Sequence, residues 1–469
     1  MSDLTKLPFN FRRLHNSVIV SNLAGQHQFL SKEEFEYLVE SQYQRIPQHI
    51  LASLESKNFI CNNSEVEMRT KILTSKYASR VYNSLLPPSL FLVVPTLRCD
   101  HDCHYCQVSR VSESASGYDL EEKHINDILH HINFLSREYI KIEFQGGEPL
   151  LNFSFVKKFV TKAREVLANK KVEFVIATAL GPIDSNKLDW IQDNNIQLSV
   201  SLDGSELIHN KNRPSKQINS FKNTVDTITK IQNSYKNIDI SALSTITKES
   251  LSAQTDIVET YTKLNLKELF IRPLSPYGFA TDTWSKLGYT ADEFMKFYED
   301  TLDYIVRSKI KVVEFSALLH LKRIFSQSTT YVDLKSPAGI VFGAVCFDYN
   351  GNIFGSDESR MLWATTKSNE LILGKISSPP KETYKNQNTL ALLKDTFIEV
   401  NPGCSECAYS QYCGADPVHH LSTQGDLVGH KKNSFFCEIE TKMFDFVFNK
   451  YYTDNSYKKM FNNWLGECC

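Results

Sequence analysis

Between Leu90 and Val306, short apolar runs alternate with longer amphipathic ones, and this alternation limits the fold more than any other feature of the chain. The strand-like runs are Leu90–Thr96, Tyr139–Gln145, Val172–Thr178, Ile196–Leu202, Ile238–Ile246 and Lys267–Leu274. Helix-like segments separate or follow them: Leu120–Leu135, Phe153–Leu167, Asp184–Asn194, Phe221–Tyr235, Leu251–Leu264 and Ala291–Val306. Serial βα units with apolar strands predict an α/β fold, a parallel sheet covered by helices. Such a sheet presents its chemistry at the C-terminal ends of its strands. Polar residues gather at those positions here. A cysteine loop follows the first run, and Gln145-Gly146-Gly147-Glu148-Pro149 follows the second. Thr178 closes the third, Ser199, Ser201 and Asp203 close the fourth, and Arg272 and Ser275 close the sixth.

The cysteine loop reads Cys99-Asp-His-Asp-Cys103-His-Tyr-Cys106. Three thiolates at C-x3-C-x2-C spacing can hold three irons of a [4Fe–4S] cluster and leave the fourth iron open to a ligand. The alternative is zinc, with His101 or His104 completing a four-ligand set. Gly146 and Gly147 let backbone approach a ligand closely, and Glu148 can accept hydrogen bonds from an ammonium group. Ser199, Ser201 and Asp203 suit a carboxylate or ribose hydroxyls, or simply cap strand ends. Arg213 is a partner for a carboxylate or a loop arginine, and Tyr105 offers an aromatic face to an adenine or to the core. A second group, Cys404-Ser-Glu-Cys407, Cys413 and Cys437, supplies four ligands for a closed cluster, with zinc again the competing metal.

Composition excludes several classes. The net charge of −2 advertises no face for nucleic acid or an anionic membrane. Met1-Ser-Asp-Leu-Thr-Lys lacks the regions of a signal peptide, and no apolar run approaches the roughly 18 residues needed to cross a bilayer. Eleven cysteines, clustered at ligand spacings, read as metal ligands rather than disulfides. A reducing, low-oxygen cytoplasm is the expected compartment.

Cys99, Cys103 and Cys106, Gly-Gly-Glu-Pro at 146–149 and Ser-Leu-Asp-Gly at 201–204 resemble the radical S-adenosylmethionine (SAM) superfamily core, a partial (βα)6 barrel. The resemblance implies a [4Fe–4S] cluster on those cysteines whose open iron chelates SAM. It places the SAM amino end on Gly146, Gly147 and Glu148, its carboxylate on Ser201 and Arg213, and its ribose near Thr178, with Tyr105 at the adenine. Thr178-Ala179-Leu180 departs from the pattern, since many relatives carry an asparagine after the threonine.

The second cysteine group is similar to the SPASM extension of peptide-modifying radical SAM enzymes. Pro417 stands where that pattern has a further cysteine, and Ser356 stands where another is expected after the Gly351 turn. The implied set is therefore one auxiliary [4Fe–4S] cluster on Cys404, Cys407, Cys413 and Cys437, with Cys346 a buried free thiol. Asp357 falls where some relatives place a general base. The terminal pair Cys468-Cys469 reads as a frayed tail.

Longer strings, Arg98–Arg110, Lys141–Leu151, Arg272–Ala280, Ser356–Met361 and Leu7–Arg13, resemble the His-Xaa-Ser system radical SAM maturases. That family implies a ribosomally made precursor peptide with His-Xaa-Ser repeats and a second radical SAM maturase as partner. Ser17–Leu23 and Gln26–Leu30 alternate around Ala24-Gly25, a hairpin signal, and Ser31-Lys-Glu-Glu34 opens a helix as a capping box. This region resembles small winged-helix peptide-recognition domains, where a hairpin edge can take a leader peptide as an added strand. A structural cap on the barrel is the competing explanation. Asn62 to Arg69 and Leu86-Pro-Pro88 read as linker.

The expected organisation is a recognition domain at 1–85, a radical SAM partial barrel at 89–320, a SPASM-like domain at 321–460 and a tail from 461. The expected activity is oxidation or crosslinking of peptide residues through a 5′-deoxyadenosyl radical. Radical SAM chemistry on a small molecule and a non-enzymatic iron–sulfur electron carrier are the alternatives.

Overall fold

The computed structural model describes residues 3–326, 339–395 and 397–467. Near the N-terminus, β1 (Leu4–Lys6) later pairs antiparallel with β5 (Ile60–Asn62). Between them, β2 (Asn10–Arg13), β3 (Ser17–Ser21) and β4 (His27–Ser31) form an antiparallel sheet in that order. Ser31 caps the helix Lys32–Val39 in the expected capping box with Glu34. All of β3 is buried because it serves two cores. Val18 and Val20 join Leu30, Phe35, Leu38 and Leu54 in a small local core, while Ile19, on the opposite face, joins the main core of the molecule. Of the segment read as linker, Asn62 ends β5, Asn63–Glu65 form a 3-10 turn, and Val66 to Arg69 open the helix Val66–Ser84. Leu86-Pro-Pro88 is irregular.

The barrel strands are β6 (Leu90–Thr96), β7 (Tyr139–Gly146), β8 (Lys171–Thr178), β9 (Ile196–Ser201), β10 (Ile240–Thr245) and β11 (Glu268–Arg272). Each lies parallel to its sequence neighbour, as the βα alternation predicts. The sheet continues past both edges. A short β12 (Val313–Glu314) lies parallel to β11. At the other edge, β13 (Ala344–Phe347) runs parallel to β6, followed antiparallel by β14 (Asn352–Phe354) and β15 (Ile372–Lys375). One ten-stranded sheet thus carries the barrel and the C-terminal region together.

Strand alternation sets the two faces of the barrel. On β7, Ile140, Ile142 and Phe144 are buried under helices, while Lys141, Glu143 and Gln145 take the other face. On β9, Ile196, Leu198 and Val200 pack outward, leaving Gln197, Ser199 and Ser201 on the inner side. The lumen of this incomplete barrel is therefore polar, with Glu143, Gln145, Ser199 and Arg272 lining a cavity.

Two expected boundaries are corrected. Position 320/321 falls inside the helix Phe315–Phe325, whose buried face joins the main core. Residues from 461 belong not to a tail but to the helix Asn455–Glu467, which buries Phe461 and Trp464. Cys468 and Cys469 lie outside the described residues. Cys346 is fully buried on β13.

Candidate active site

The loop after β6 carries Cys99, Cys103 and Cys106, all half-buried. Burial pushes the Cys103 thiol up to about 12. Burial, with Cys103 and Glu148 nearby, holds Cys99 well above the ordinary thiol range. Buried thiols brought within mutual electrostatic range need a cation to become thiolates, which is what metal ligation supplies. His101 lies within 4.8 Å of Cys99 and Asp100 as a further ligand atom. Its ring is already engaged, however: Nδ1 meets Asp100 at 2.9 Å and Nε2 meets the Ser220 hydroxyl at 2.8 Å. His104 is exposed. A three-cysteine set suits an open cluster better than four-coordinate zinc.

The loop rests on glycines. A Cβ on Gly147 would lie 2.2 Å from the Arg98 carbonyl oxygen and 2.5 Å from that of Leu97. At Gly146, which has φ +132°, it would lie 2.6 Å from the Thr96 carbonyl. Both glycines are therefore required by the crossing of β7 over the end of β6, and they bring bare backbone against the cysteine loop. Two further close approaches lie beyond the glycines singled out in sequence. At Gly181 a Cβ would meet the Asp100 carboxylate at 1.6 Å, and at Gly278 the Gln107 carbonyl at 2.2 Å. Both follow barrel strands, the only sequence signal that pointed to them.

Glu148 is 1% exposed and works inside the scaffold. Its carboxylate accepts hydrogen bonds from the Thr178 hydroxyl at 2.9 and 3.0 Å, the Ala179 amide at 2.9 Å and the Leu150 amide at 3.1 Å. Burial and Asp100 raise it to about 7. Thr178 is thereby tied to the Gly-Gly-Glu turn. Arg213 donates to buried Asp203 through Nε at 2.9 Å and Nη2 at 3.2 Å. Its guanidinium stands 5.2 Å from the Tyr105 ring centroid, and the Tyr105 hydroxyl donates to Asp203 at 2.7 Å. These three residues form one buried unit that acts electrostatically on Cys103. Ser201 ends β9 on the inner face.

A cavity of about 370 Å³ opens between the barrel lumen and the C-terminal helices. Asp357 reaches it from the first turn of the helix Asp357–Thr366, with Oδ1 accepting from Arg360 Nε at 2.9 Å. Ser356 caps that helix.

Cys404, Cys407, Cys413 and Cys437 converge as a second set, each raised by burial and within electrostatic reach of others in the set. Cys437 sits in the first turn of the helix Phe435–Thr453, where the helix dipole favours a thiolate. The N-terminal sheet holds this loop. Asn10 Nδ2 donates to the carbonyls of Ser405 at 3.0 Å and Cys407 at 3.2 Å, and Ser21 Oγ donates to that of Ala408 at 2.5 Å. Arg12 binds Asp445 through two nitrogens, and Tyr412 donates to the Gly25 carbonyl at 3.0 Å. His27 packs among Phe325, Tyr412, Phe448 and Tyr452.

Residues 93–251 match the family described as Radical SAM superfamily. The barrel therefore carries a radical SAM domain, the class that binds SAM at a [4Fe–4S] cluster. Among curated proteins, an uncharacterised protein of Methanocaldococcus jannaschii is 28% identical over 39% of this chain and 61% of its own length. A cysteine-type anaerobic sulfatase-maturating enzyme of Clostridium perfringens is 20% identical over 77% of this chain and 97% of its own. Among solved structures, native anSMEcpe with bound AdoMet superposes with TM-score 0.64 at 16% identity, covering 80% of this chain and 99% of that one. Streptococcus suis SuiB bound to precursor peptide SuiA superposes with TM-score 0.55 at 14% identity, covering 91% and 98%. This chain shares their fold.

Proposed function

We propose that this protein is a radical SAM maturase that modifies a ribosomally made peptide. The observation that carries the reading is the placement of three half-buried cysteines on the loop that leaves β6 at the C-terminal end of the barrel strands, with the thiols of Cys99 and Cys103 raised by burial. Cys99, Cys103 and Cys106 would hold the SAM cluster, and Cys404, Cys407, Cys413 and Cys437 one auxiliary cluster. When bound, the first cluster and SAM supply a 5′-deoxyadenosyl radical able to abstract hydrogen from an unactivated C–H bond.

The chain's own residues do the rest. Gly146 and Gly147 bring backbone to the SAM amino end, while Glu148 and Thr178 fix that turn against β8. Ser201 lies toward the carboxylate, and the Tyr105–Asp203–Arg213 unit holds the loop between Cys103 and Cys106 in place. Asp357, kept beside Arg360, is the proton acceptor on the substrate side. The helices over the cavity keep water and oxygen out.

Support for a peptide substrate comes from the similarity to a cysteine-type anaerobic sulfatase-maturating enzyme and from the fold shared with a protein bound to its precursor peptide. The N-terminal sheet is the candidate leader-binding element. His-Xaa-Ser repeats in the peptide, a second maturase as partner and a cytoplasmic location complete the proposal; no described helix is long and apolar enough to cross a membrane. The test is anaerobic co-expression with the short peptide encoded beside this gene, with and without Cys103→Ala, read by high-resolution mass spectrometry. Loss of two hydrogens from the peptide, absent in the variant, is the expected result. An unchanged mass under wild-type enzyme co-expressed with the partner maturase as well, with no deuterium taken up from labelled solvent, contradicts oxidation and epimerisation alike.

A further inference from the structure

His419 is 4% exposed and lines the cavity between the barrel lumen and the C-terminal helices. Neither of its ring nitrogens has a hydrogen-bond partner among the described residues. Phe436 and His420 flank the ring, each 6.1 Å from its centroid. A buried, unsatisfied polar group costs roughly 1–3 kcal/mol, so this ring gains from any polar group that enters the cavity beside it. Burial pushes its pKa down to about 4, leaving a neutral imidazole with one lone pair and one N–H.

The charges around it are one-sided. Glu143, Asp357, Glu358, Asp416 and Glu440 line the same cavity, and Arg272 is the one lysine or arginine among the described lining residues. Asp357 is answered from behind by Arg360 and Glu440 by His320, each at 2.9 Å. Asp416 accepts from the His419 backbone amide at 2.9 Å. Glu143, with Lys141 and Arg272 as its nearby positive charges, reaches in from β7 with its carboxyl raised by burial.

We propose that this cavity is a subsite for a cationic side chain of the substrate, an ammonium or guanidinium group, and that His419 is the hydrogen-bond acceptor that receives it. This deepens the peptide reading above and rests on it. An anionic side chain would enter a cavity lined by five acidic residues against one arginine, and an apolar one would leave the imidazole unsatisfied. A cation with N–H donors answers both.

The test uses reconstituted full-length enzyme and a host peptide, Ala-Gly-Ser-X-Ser-Gly-Ala, with X as Lys, Arg, Gln, Leu or Glu. The reading is 5′-deoxyadenosine formed above the peptide-free rate. Lysine and arginine peptides are expected to exceed the leucine, glutamine and glutamate peptides by about ten-fold, the value of one hydrogen bond to a charged group. His419→Phe should bring that ratio to about two-fold or less, and His419→Gln, which keeps an acceptor, should retain part of it. Iron content and circular dichroism verify that each variant is folded and loaded. Equal responses to all peptides, a complete lack of response, or a preference that survives His419→Phe in a loaded protein overturns the subsite. Wild-type enzyme that forms no 5′-deoxyadenosine even without peptide overturns the underlying reading instead, so the two failures are distinct.

Discussion

Asp203→Ala should be among the most damaging single changes in the barrel. Asp203 is fully buried and accepts four hydrogen bonds: two from Arg213, one from Tyr105 at 2.7 Å and one from the Thr245 amide at 3.2 Å. Removing it leaves a guanidinium that is 7% exposed without its counter-charge. Breaking a buried pair in this way costs roughly 3–5 kcal/mol. The orphaned phenol and amide add roughly 1–3 kcal/mol each, but they share one site, so the terms do not simply add. A loss of at least about 4 kcal/mol is expected against a typical total of about 5–15. One sheet and one core join the barrel to the C-terminal region of this 469-residue chain, so the unfolding entropy is about 1 kcal/mol/K and the melting temperature should fall by about 4 °C. Thermal unfolding of the anaerobic protein, followed by tryptophan fluorescence, reads this directly. Asp203→Leu with Arg213→Met removes both charges and should recover much of the loss. A shift below about 2 °C for Asp203→Ala, or a double variant no better than the single, would refute the buried-unit reasoning.

Other consequences are as specific. Gly147→Ala forces a Cβ into two backbone carbonyls; overpacking of roughly 1–3 kcal/mol should weaken SAM binding by about ten-fold, measured by equilibrium dialysis. Asn10→Ala with Ser21→Ala removes three hydrogen bonds to the 405–408 backbone; iron per chain should fall toward that of Cys404→Ala while the SAM cluster remains. His27, pushed down to about 3 by burial and by Lys57 from an ordinary 6.5, is neutral when folded and takes up a proton on unfolding. Its contribution is complete above pH 6.5 and drains as pH falls toward 3. The loss is about 1.4 kcal/mol per unit, or about 2 kcal/mol at pH 5. His27→Phe should remove that share of the acid slope in urea titrations; an unchanged slope would contradict it.

The barrel was legible because each strand has enough apolar residues facing the helices to mark it. Observed ends differ from the sequence reading by one or two residues, as at β10, which spans Ile240–Thr245 rather than Ile238–Ile246. The extension β13–β15 was not legible, since strands of three or four residues carry no usable period. Asn10–Arg13 was missed as a strand because Asn-Phe-Arg-Arg is mostly polar; its side chains are spent on the cysteine loop and on Asp445. The helix Val66–Ser84 was read partly as linker because Leu73 is its one buried apolar residue among those described. At the site, the cysteines were legible by spacing. Asp203 and Arg213 were not legible as a pair, because a bond across ten positions of irregular chain depends on tertiary packing. His419 gave no sequence signal, since a histidine without partners is recognisable only once its surroundings are known.

The central claim is that Cys99, Cys103 and Cys106 hold a cluster that cleaves SAM. It is tested most directly by anaerobic reconstitution with iron and sulfide, addition of SAM and dithionite, and measurement of 5′-deoxyadenosine and methionine by mass spectrometry. Wild-type protein should form the two products in equal amounts, and Cys103→Ala should form neither while keeping the iron bound by the second cysteine group. A fully loaded wild-type protein that leaves SAM intact would contradict the account.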